Sequence, residues 1–331
     1  MVKVYLLAAG TIGIPVLKAL ANSTTLQLCG VATQPDRPAG RGRKLLPTPV
    51  GKTADELNIP CERIPNVNDP EFVAKLKALS PDILLVISFG QLLKEEILNV
   101  PNVDCVNIHA SLLPKYRGAS PIMQSILNLD EATGVCFMQM ERTLDSGPVY
   151  ASLVRPLDRT EYAEPLEYEL GELAAQNCDK ILTQIANKEI TPVIQDKDLV
   201  TVCGKIKKSA GIIDWNESAA KVCAKIRAFS NWPEAKMYYS VNDAAPIACS
   251  ILEAKVVNLD IKLEAPGTAV SLNKKSLVVA CSDGYIELQK VAPAGSKLQD
   301  IAAFRNGLRG MLPKIYSEKE LEAITMEIAN K

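Results

Sequence analysis

The sequence predicts an α/β chain: an N-terminal open, mostly parallel sheet with helices on both faces, then a small C-terminal β-barrel. Three observations carry this. At 331 residues the chain is long for one hydrophobic core, which favours two domains. Its first half alternates nearly continuous apolar runs with amphipathic ones, the pattern of βαβ units whose strands are buried on both faces. Beyond a polar, lysine-rich stretch at residues 187–208, short strand-like runs separated by turn signals take over.

Val4 to Ala9, Leu26 to Thr33, Ile83 to Ser88 and Cys105 to Ile108 read as buried parallel strands because their apolar residues run without alternation. Between them, Ile12 to Ala21, Pro49 to Leu57, Pro70 to Leu79 and Ser120 to Leu127 carry helical spacing or caps. Gly134 to Glu141 and Val149 to Leu157 add two strands, and Leu144-Asp-Ser-Gly147 turns between them. Glu164 to Ala186 is a long amphipathic helix, and 187–208 lacks either periodicity and reads as a linker. A helix over Ser218 to Phe229 precedes strand-like runs near 236–241, 246–256, 276–281 and 284–290, which suggest a barrel of the oligonucleotide-binding kind, although a sandwich would give a similar pattern. Phe229 and Trp232 read as packing residues. Ser317 and Glu320 have capping-box spacing, which starts a tail helix. The expected divisions are 1–186, 187–208, 209–316 and 317–331.

Composition narrows the function. With 47% hydrophobic and 23% charged residues the chain is an ordinary globular protein. It has no apolar run of the roughly 20 residues a membrane span needs, and its N-terminus lacks a signal-peptide pattern. Nine scattered cysteines with no Cys-x-x-Cys pair suit reduced thiols in a cytoplasmic protein. One histidine and no cysteine cluster leave few ligands for a metal, so none is expected. Residues 203–331 carry a net charge of +4 and those before them −5, a mild basic bias toward the C-terminus.

The single histidine, His109, follows a buried strand, with Asn107 two residues before it and a rigid Ser-Leu-Leu-Pro turn after it. In an extended chain the two side chains share a face, beyond the carboxyl end of a parallel strand where ligands collect in open α/β sheets. Asparagine supplies a fixed hydrogen-bond donor, and imidazole accepts or gives a proton. Asp145, from a separate loop, either orients the ring or passes protons. The set lacks a nucleophile: no Gly-x-Ser-x-Gly elbow exists, and Ser111 belongs to no Ser-His-Asp order. That suits direct attack of a substrate amine on a carbonyl, hence acyl transfer to an amine.

Asn107-Ile-His109, Ser111-Leu-Leu-Pro114, Arg117-Gly118 with Pro121-Ile122, and Leu144-Asp-x-Gly147 resemble, in order and spacing, the signature of formyltransferases that use 10-formyltetrahydrofolate. The resemblance implies a Rossmann-like catalytic domain over 1–186, catalytic roles for Asn107, His109 and Asp145, and folate contacts from Ser111, Leu112, Leu113 and Pro114. It also implies that Phe89, Gly90, Gln91 and Leu92 form a loop near the pterin. Thr33-Gln-Pro-Asp-Arg-Pro-Ala-Gly-Arg-Gly-Arg-Lys44 resembles the basic loop by which the tRNA-acting members of that family enter the acceptor stem. The implied substrate is initiator methionyl-tRNA, formylated on its methionine amine by a monomer, with Arg37, Arg41, Arg43 and Lys44 as contacts. Ile213-Asp-Trp215 and Ile226 to Pro233 extend the resemblance into the C-terminal part, where Lys205, Lys207 and Lys208 are expected on the tRNA backbone. Two departures stand out: Pro-Asp-Phe is missing after Ala9-Gly-Thr11, and Asn231 stands where the family has proline.

Two other readings remain open on sequence. One is a folate-dependent enzyme acting on a small amine, which has no use for the basic loop. The other is a non-catalytic RNA-binding protein, which has no reason to keep Asn107, His109 and Asp145 together.

Overall fold

The computed structural model describes residues 1–39, 44–242 and 244–329. Arg41 and Arg43 lie outside the described residues. The chain divides into two compact units, Met1–Ile122 with Ala132–Leu157 and Pro165–Gly204, and Met123–Glu131 with Asp158–Glu164 and Lys205–Lys331.

The first half of the chain runs β1 (Val2–Ala8), α1 (Gly13–Asn22), β2 (Leu26–Thr33), β3 (Arg37–Ala39), β4 (Lys44–Leu46), α2 (Pro49–Glu56), β5 (Cys61–Arg63), α3 (Pro70–Leu79) and β6 (Ile83–Ile87). It continues through α4 (Glu95–Leu98), β7 (Asp104–His109), β8 (Arg117–Gly118), α5 (Pro121–Leu127), β9 (Ala132–Gln139), β10 (Val149–Pro156), α6 (Ala163–Ala186) and β11 (Val202–Cys203). Among the described residues, a seven-stranded sheet has the order β10-β9-β7-β6-β1-β2-β5. The five strands from β5 to β7 are parallel, and β9 and β10 are antiparallel additions at one side.

Strand order reverses between β1 and β6, and right-handed crossovers then require helices on both faces. The core agrees. Tyr5, Leu7, Leu84 and Val86 pack with Phe72, Val73 and Leu76 of α3 and Ile97 of α4. On the opposite face, a Cβ at Gly13 of α1 would meet Val50 of α2, Ala8 and Ile87. Caps set the helix starts: Thr48 accepts from the Gly51 amide before Pro49, and Asp69 from the Glu71 amide before Pro70.

The second unit contains α7 (Ala219–Ala228), β12 (Lys236–Ser240), β13 (Ile247–Val257), β14 (Ala269–Val270), β15 (Val278–Ala280), β16 (Tyr285–Pro293), β17 (Gln299–Asp300), α8 (Ile301–Gly307), β18 (Lys314–Tyr316) and α9 (Glu318–Ala329). Its strands form one antiparallel, nearly closed barrel sheet in the order β14-β15-β16-β13-β12-β18, with β17 on β16. The capping box forms as the spacing predicts: Ser317 N–H donates to Glu320 at 2.8 Å, and the Glu320 amide donates to the Ser317 hydroxyl at 3.3 Å. Phe229 is buried, but Trp232 is 53% exposed because it follows α7 in an irregular turn and not on the helix's packed face.

Two short pairings escape the periodic pattern. Within the basic stretch, β3 and β4 pair antiparallel, Arg37 opposite Leu46 and Ala39 opposite Lys44. In the stretch read as a patternless linker, β11 pairs with β8, Val202 opposite Arg117 and Cys203 opposite Gly118. Gly118 adopts φ +119°, and a Cβ there would lie 2.1 Å from the Cys203 carbonyl oxygen. Gly118→Ala is therefore expected to open this pairing at a cost of about 1–3 kcal/mol. Thermal melting checks it, with a Tm fall of roughly 2–4 °C per kcal/mol for a unit of this size. An unchanged Tm would mean that the backbone there tolerates a side chain.

Candidate active site

β7 lies inside the sheet, with Asn107 opposite Val86 of β6 and Met138 of β9, and His109 opposite Cys136. Extended geometry puts Asn107 and His109 on one face at the strand's carboxyl end. The Asn107 amide is half-buried and has no hydrogen-bond partner among the described residues. The His109 side chain is 6% exposed. Its Nε2 lies 2.9 Å from the Tyr116 carbonyl oxygen. A carbonyl only accepts, so Nε2 carries the proton, and in the neutral ring Nδ1 holds the lone pair.

Nδ1 faces Asp145. The carboxylate Oδ2 is 3.7 Å away and the Asp145 side chain is 10% exposed. This is beyond hydrogen-bond length but near enough for the carboxylate to stabilise an imidazolium formed at Nδ1. Oδ2 also accepts the Gly118 amide at 2.8 Å, which holds the carboxylate in place. The Tyr116 carbonyl thus holds one side of the ring, and Asp145 faces the other ring nitrogen.

The turn after His109 is built from inside. The buried Ser111 hydroxyl donates to the Lys115 carbonyl at 2.6 Å, which commits it to the turn. The Leu113 amide donates to Cys136 Sγ at 3.3 Å, and Leu113-Pro114 is cis. Leu112, Leu113 and Pro114 are half-buried. The loop after β6 divides between core and surface. Phe89 is buried in the core and Gln91 is spent inward, accepting from the Val67 amide at 2.8 Å and donating to the Ile64 carbonyl at 3.0 Å. Gly90 and Leu92 remain exposed, Gly90 at φ +76°.

Arg37 and Lys44 are exposed on the β3–β4 pair, and Lys205, Lys207 and Lys208 are exposed in the second unit. Arg37 donates to Gln34 Oε1 at 2.6 Å, and Gln34 Nε2 donates to the Phe89 carbonyl at 2.5 Å, so the base of the basic hairpin is fastened to the loop after β6.

Three residues of 193–203 support the site, and the sequence alone singles out none of them. The Thr201 hydroxyl accepts the Tyr116 amide at 2.8 Å. The Cys203 thiol, kept protonated by burial that pushes its pKa up, donates to the Tyr116 carbonyl at 3.4 Å. Gln195 is buried and holds both Arg117 and the backbone of the Asp145 turn. A lone glutamine or threonine in a polar stretch carries no periodic signal, and only Arg117-Gly118, inside the recognised motif, hints at a partner. Among the described residues no group of three or more His, Cys, Asp or Glu side chains converges as a metal site would. Nor is any described helix long and apolar enough to cross a membrane.

A formyl transferase family model matches residues 3–182, and a model of the formyl transferase C-terminal domain matches residues 205–309. The methionyl-tRNA formyltransferase of Legionella pneumophila strain Philadelphia 1 is 37% identical over 300 residues, covering 90% of this chain and 93% of that protein. Two solved structures share the fold. One is an N-formyltransferase from Helicobacter canadensis in complex with folinic acid and dTDP-3-aminofucose, with a TM-score of 0.62, 18% identity, and coverage of 87% of this chain and 99% of that one. The other is a methionyl-tRNA formyltransferase from Clostridium thermocellum, with a TM-score of 0.53, 16% identity, and coverage of 78% and 94%. With its N-terminal family model covering more than half its length and a full-length relative above 30% identity, the chain belongs to the formyl transferase family of enzymes.

Proposed function

We propose that the chain transfers the formyl group of 10-formyltetrahydrofolate to the α-amino group of methionine on initiator methionyl-tRNA. One observation carries the chemistry: the Asp145 carboxylate lies 3.7 Å from His109 Nδ1, at the end of the strand that carries the unpartnered Asn107 amide on the same face. The cosubstrate fits this donor set. A formyl oxygen needs a hydrogen-bond donor that is not already engaged, which Asn107 supplies. The exposed Gly90 and Leu92 of the loop after β6 and the half-buried Leu112-Leu113-Pro114 turn would hold the folate. A catalytic domain at 1–186 and a tRNA-binding barrel at 209–316 belong to the same proposal, supported by the family matches over 3–182 and 205–309, as does a helical tail at 317–331; of the stretch expected as a linker, the residues up to Gly204 belong to the first unit.

A free α-amine has a pKa of roughly 7.7–8.0, so an appreciable fraction is already neutral near pH 7 and able to attack. Its nitrogen forms a bond to the formyl carbon, and negative charge grows on the formyl oxygen, where the Asn107 amide donates. The amine's surplus proton passes to His109 Nδ1, beside Asp145, and from there to the folate N10 as the bond from N10 to the formyl carbon breaks. Protons balance, and no oxidant or metal enters.

A small-amine formyltransferase would share this centre. The tRNA substrate is favoured by the name of the 37%-identical relative and by the exposed cations Arg37, Lys44, Lys205, Lys207 and Lys208. The same reading makes the protein a cytoplasmic monomer with free thiols.

A formylation assay with methionyl-tRNA and 10-formyltetrahydrofolate is the direct test. His109→Ala and Asp145→Ala are expected to lower kcat by about 10²- to 10⁴-fold with tRNA affinity retained; near wild-type turnover by either variant would remove the assignment. Arg37→Ala and Lys44→Ala, and likewise Arg41→Ala and Arg43→Ala, are expected to raise KM for initiator tRNA with kcat little changed. Each lost phosphate contact should lower the slope of log affinity against log salt by about 1. Unaltered constants and slope would leave the hairpin as solvated surface.

A further inference from the structure

Residues 193–203 cross back over the first unit. Val193 and Val149 exchange two backbone hydrogen bonds, at 2.8 and 2.9 Å. Two residues later Gln195 is 7% exposed, and its side chain makes four hydrogen bonds. Its amide nitrogen donates to the Asp145 carbonyl at 2.9 Å and the Gly147 carbonyl at 2.7 Å. Its oxygen accepts from Arg117 Nε at 3.0 Å and Nη2 at 2.8 Å. Those four bonds use both hydrogens and both lone pairs of a primary amide. Because Arg117 only donates and the two carbonyls only accept, the amide has one orientation.

The residue it grips is unusual. Asp145 sits at φ 51°, a left-handed conformation that non-glycine residues seldom adopt without support. Its carboxylate faces His109 Nδ1 from that backbone. Gln195 touches no reacting atom in the proposed chemistry, yet it ties down the two carbonyls that bracket this turn.

We infer that Gln195, oriented by Arg117, is a positioning residue for formyl transfer: it holds the Asp145–Gly147 turn so that the Asp145 carboxylate stays on His109. This rests on the reading of His109 and Asp145 as the catalytic pair. The segment that leads out of the first unit is thereby part of the catalytic apparatus. Losing the hold moves a carboxylate, and a displacement near 1 Å in a catalytic centre costs about 10²-fold in rate.

The experiment uses the full chain with Gln195→Leu, Gln195→Glu and Asp145→Asn, singly and combined, and reads kcat and both KM values by formylation. Gln195→Glu is near-isosteric and keeps a partner for Arg117 but loses the donors to both carbonyls, so it remains informative if Gln195→Leu does not fold. Both Gln195 variants are expected to lower kcat about 10²-fold while each KM stays within about twofold. In the Asp145→Asn background, either Gln195 change should add less than about threefold, since it acts through a carboxylate already gone. Multiplying losses, a rise in KM in place of the fall in kcat, or unchanged kcat in Gln195→Glu would overturn the inference. If Asp145→Asn itself leaves kcat unchanged, the catalytic pair is misassigned and the role of Gln195 falls with it. If Asp145→Asn collapses kcat and the Gln195 variants do not, only the positioning role fails.

Discussion

The site depends on the hydrogen bond from His109 Nε2 to the Tyr116 carbonyl, 2.9 Å long and buried. It sets the tautomer, because a carbonyl cannot donate, and so decides that the basic lone pair lies on Nδ1, toward Asp145. Were the ring turned over, a carbonyl would face a lone pair and Asp145 an N–H, and the proton-accepting atom would point into the protein. The carbonyl's own position is the next requirement. Tyr116 adopts φ 60°, its amide is taken by the Thr201 hydroxyl and its oxygen also receives the Cys203 thiol. One imidazole is therefore oriented by a backbone atom that residues more than 80 positions later hold in place.

The sheet explains why this constellation assembles where it does. Parallel strands deliver their carboxyl ends to one edge, and in open α/β sheets a reversal of strand order, here between β1 and β6, opens a crevice at that edge. The loops after β1 and β6 are joined across it by the Gly10 amide on the Ser88 carbonyl, at 3.3 Å. A Cβ at Gly10 would lie 2.5 Å from Ser88 Oγ and 3.0 Å from Ser88 Cβ, so the two loops pass closely here. β7 ends beside this crevice, and antiparallel β9 runs back from it before the turn that bears Asp145.

Much of this was legible in the sequence, for reasons that differ by residue. Continuous apolar runs mark β1, β2, β6 and β7 because strands covered on both faces have no polar side to display. Caps such as Asp69 before Pro70 and Ser317 with Glu320 mark helix starts because local chemistry alone decides them. Asn107 and His109 stand out as polar groups at the end of such a strand. What stayed hidden depends on long-range pairing. The two-residue strand β11 is too short for any period, and Gln195 is indistinguishable in sequence from a solvated glutamine. Side-chain direction was equally silent: nothing in Ser88 to Leu92 says that Phe89 enters the core and that Gln91 turns back on Ile64 and Val67.

The buried thiols bear on the same distinction between what packs and what reacts. All nine cysteines are free, and burial raises the pKa of those in the barrel unit, to about 11 for Cys223 and about 12 for Cys249 and Cys281. A thiol in that range is scarcely ionised at neutral pH, and the thiolate is the reactive form. These residues act as small apolar side chains, and Cys203 acts as a weak donor to the carbonyl that orients His109. Cysteine thus enters the site through hydrogen bonding and packing. An acyl transfer that proceeds by direct amine attack needs no nucleophile from the protein, and a protonated thiol near the imidazole offers none to compete with the substrate.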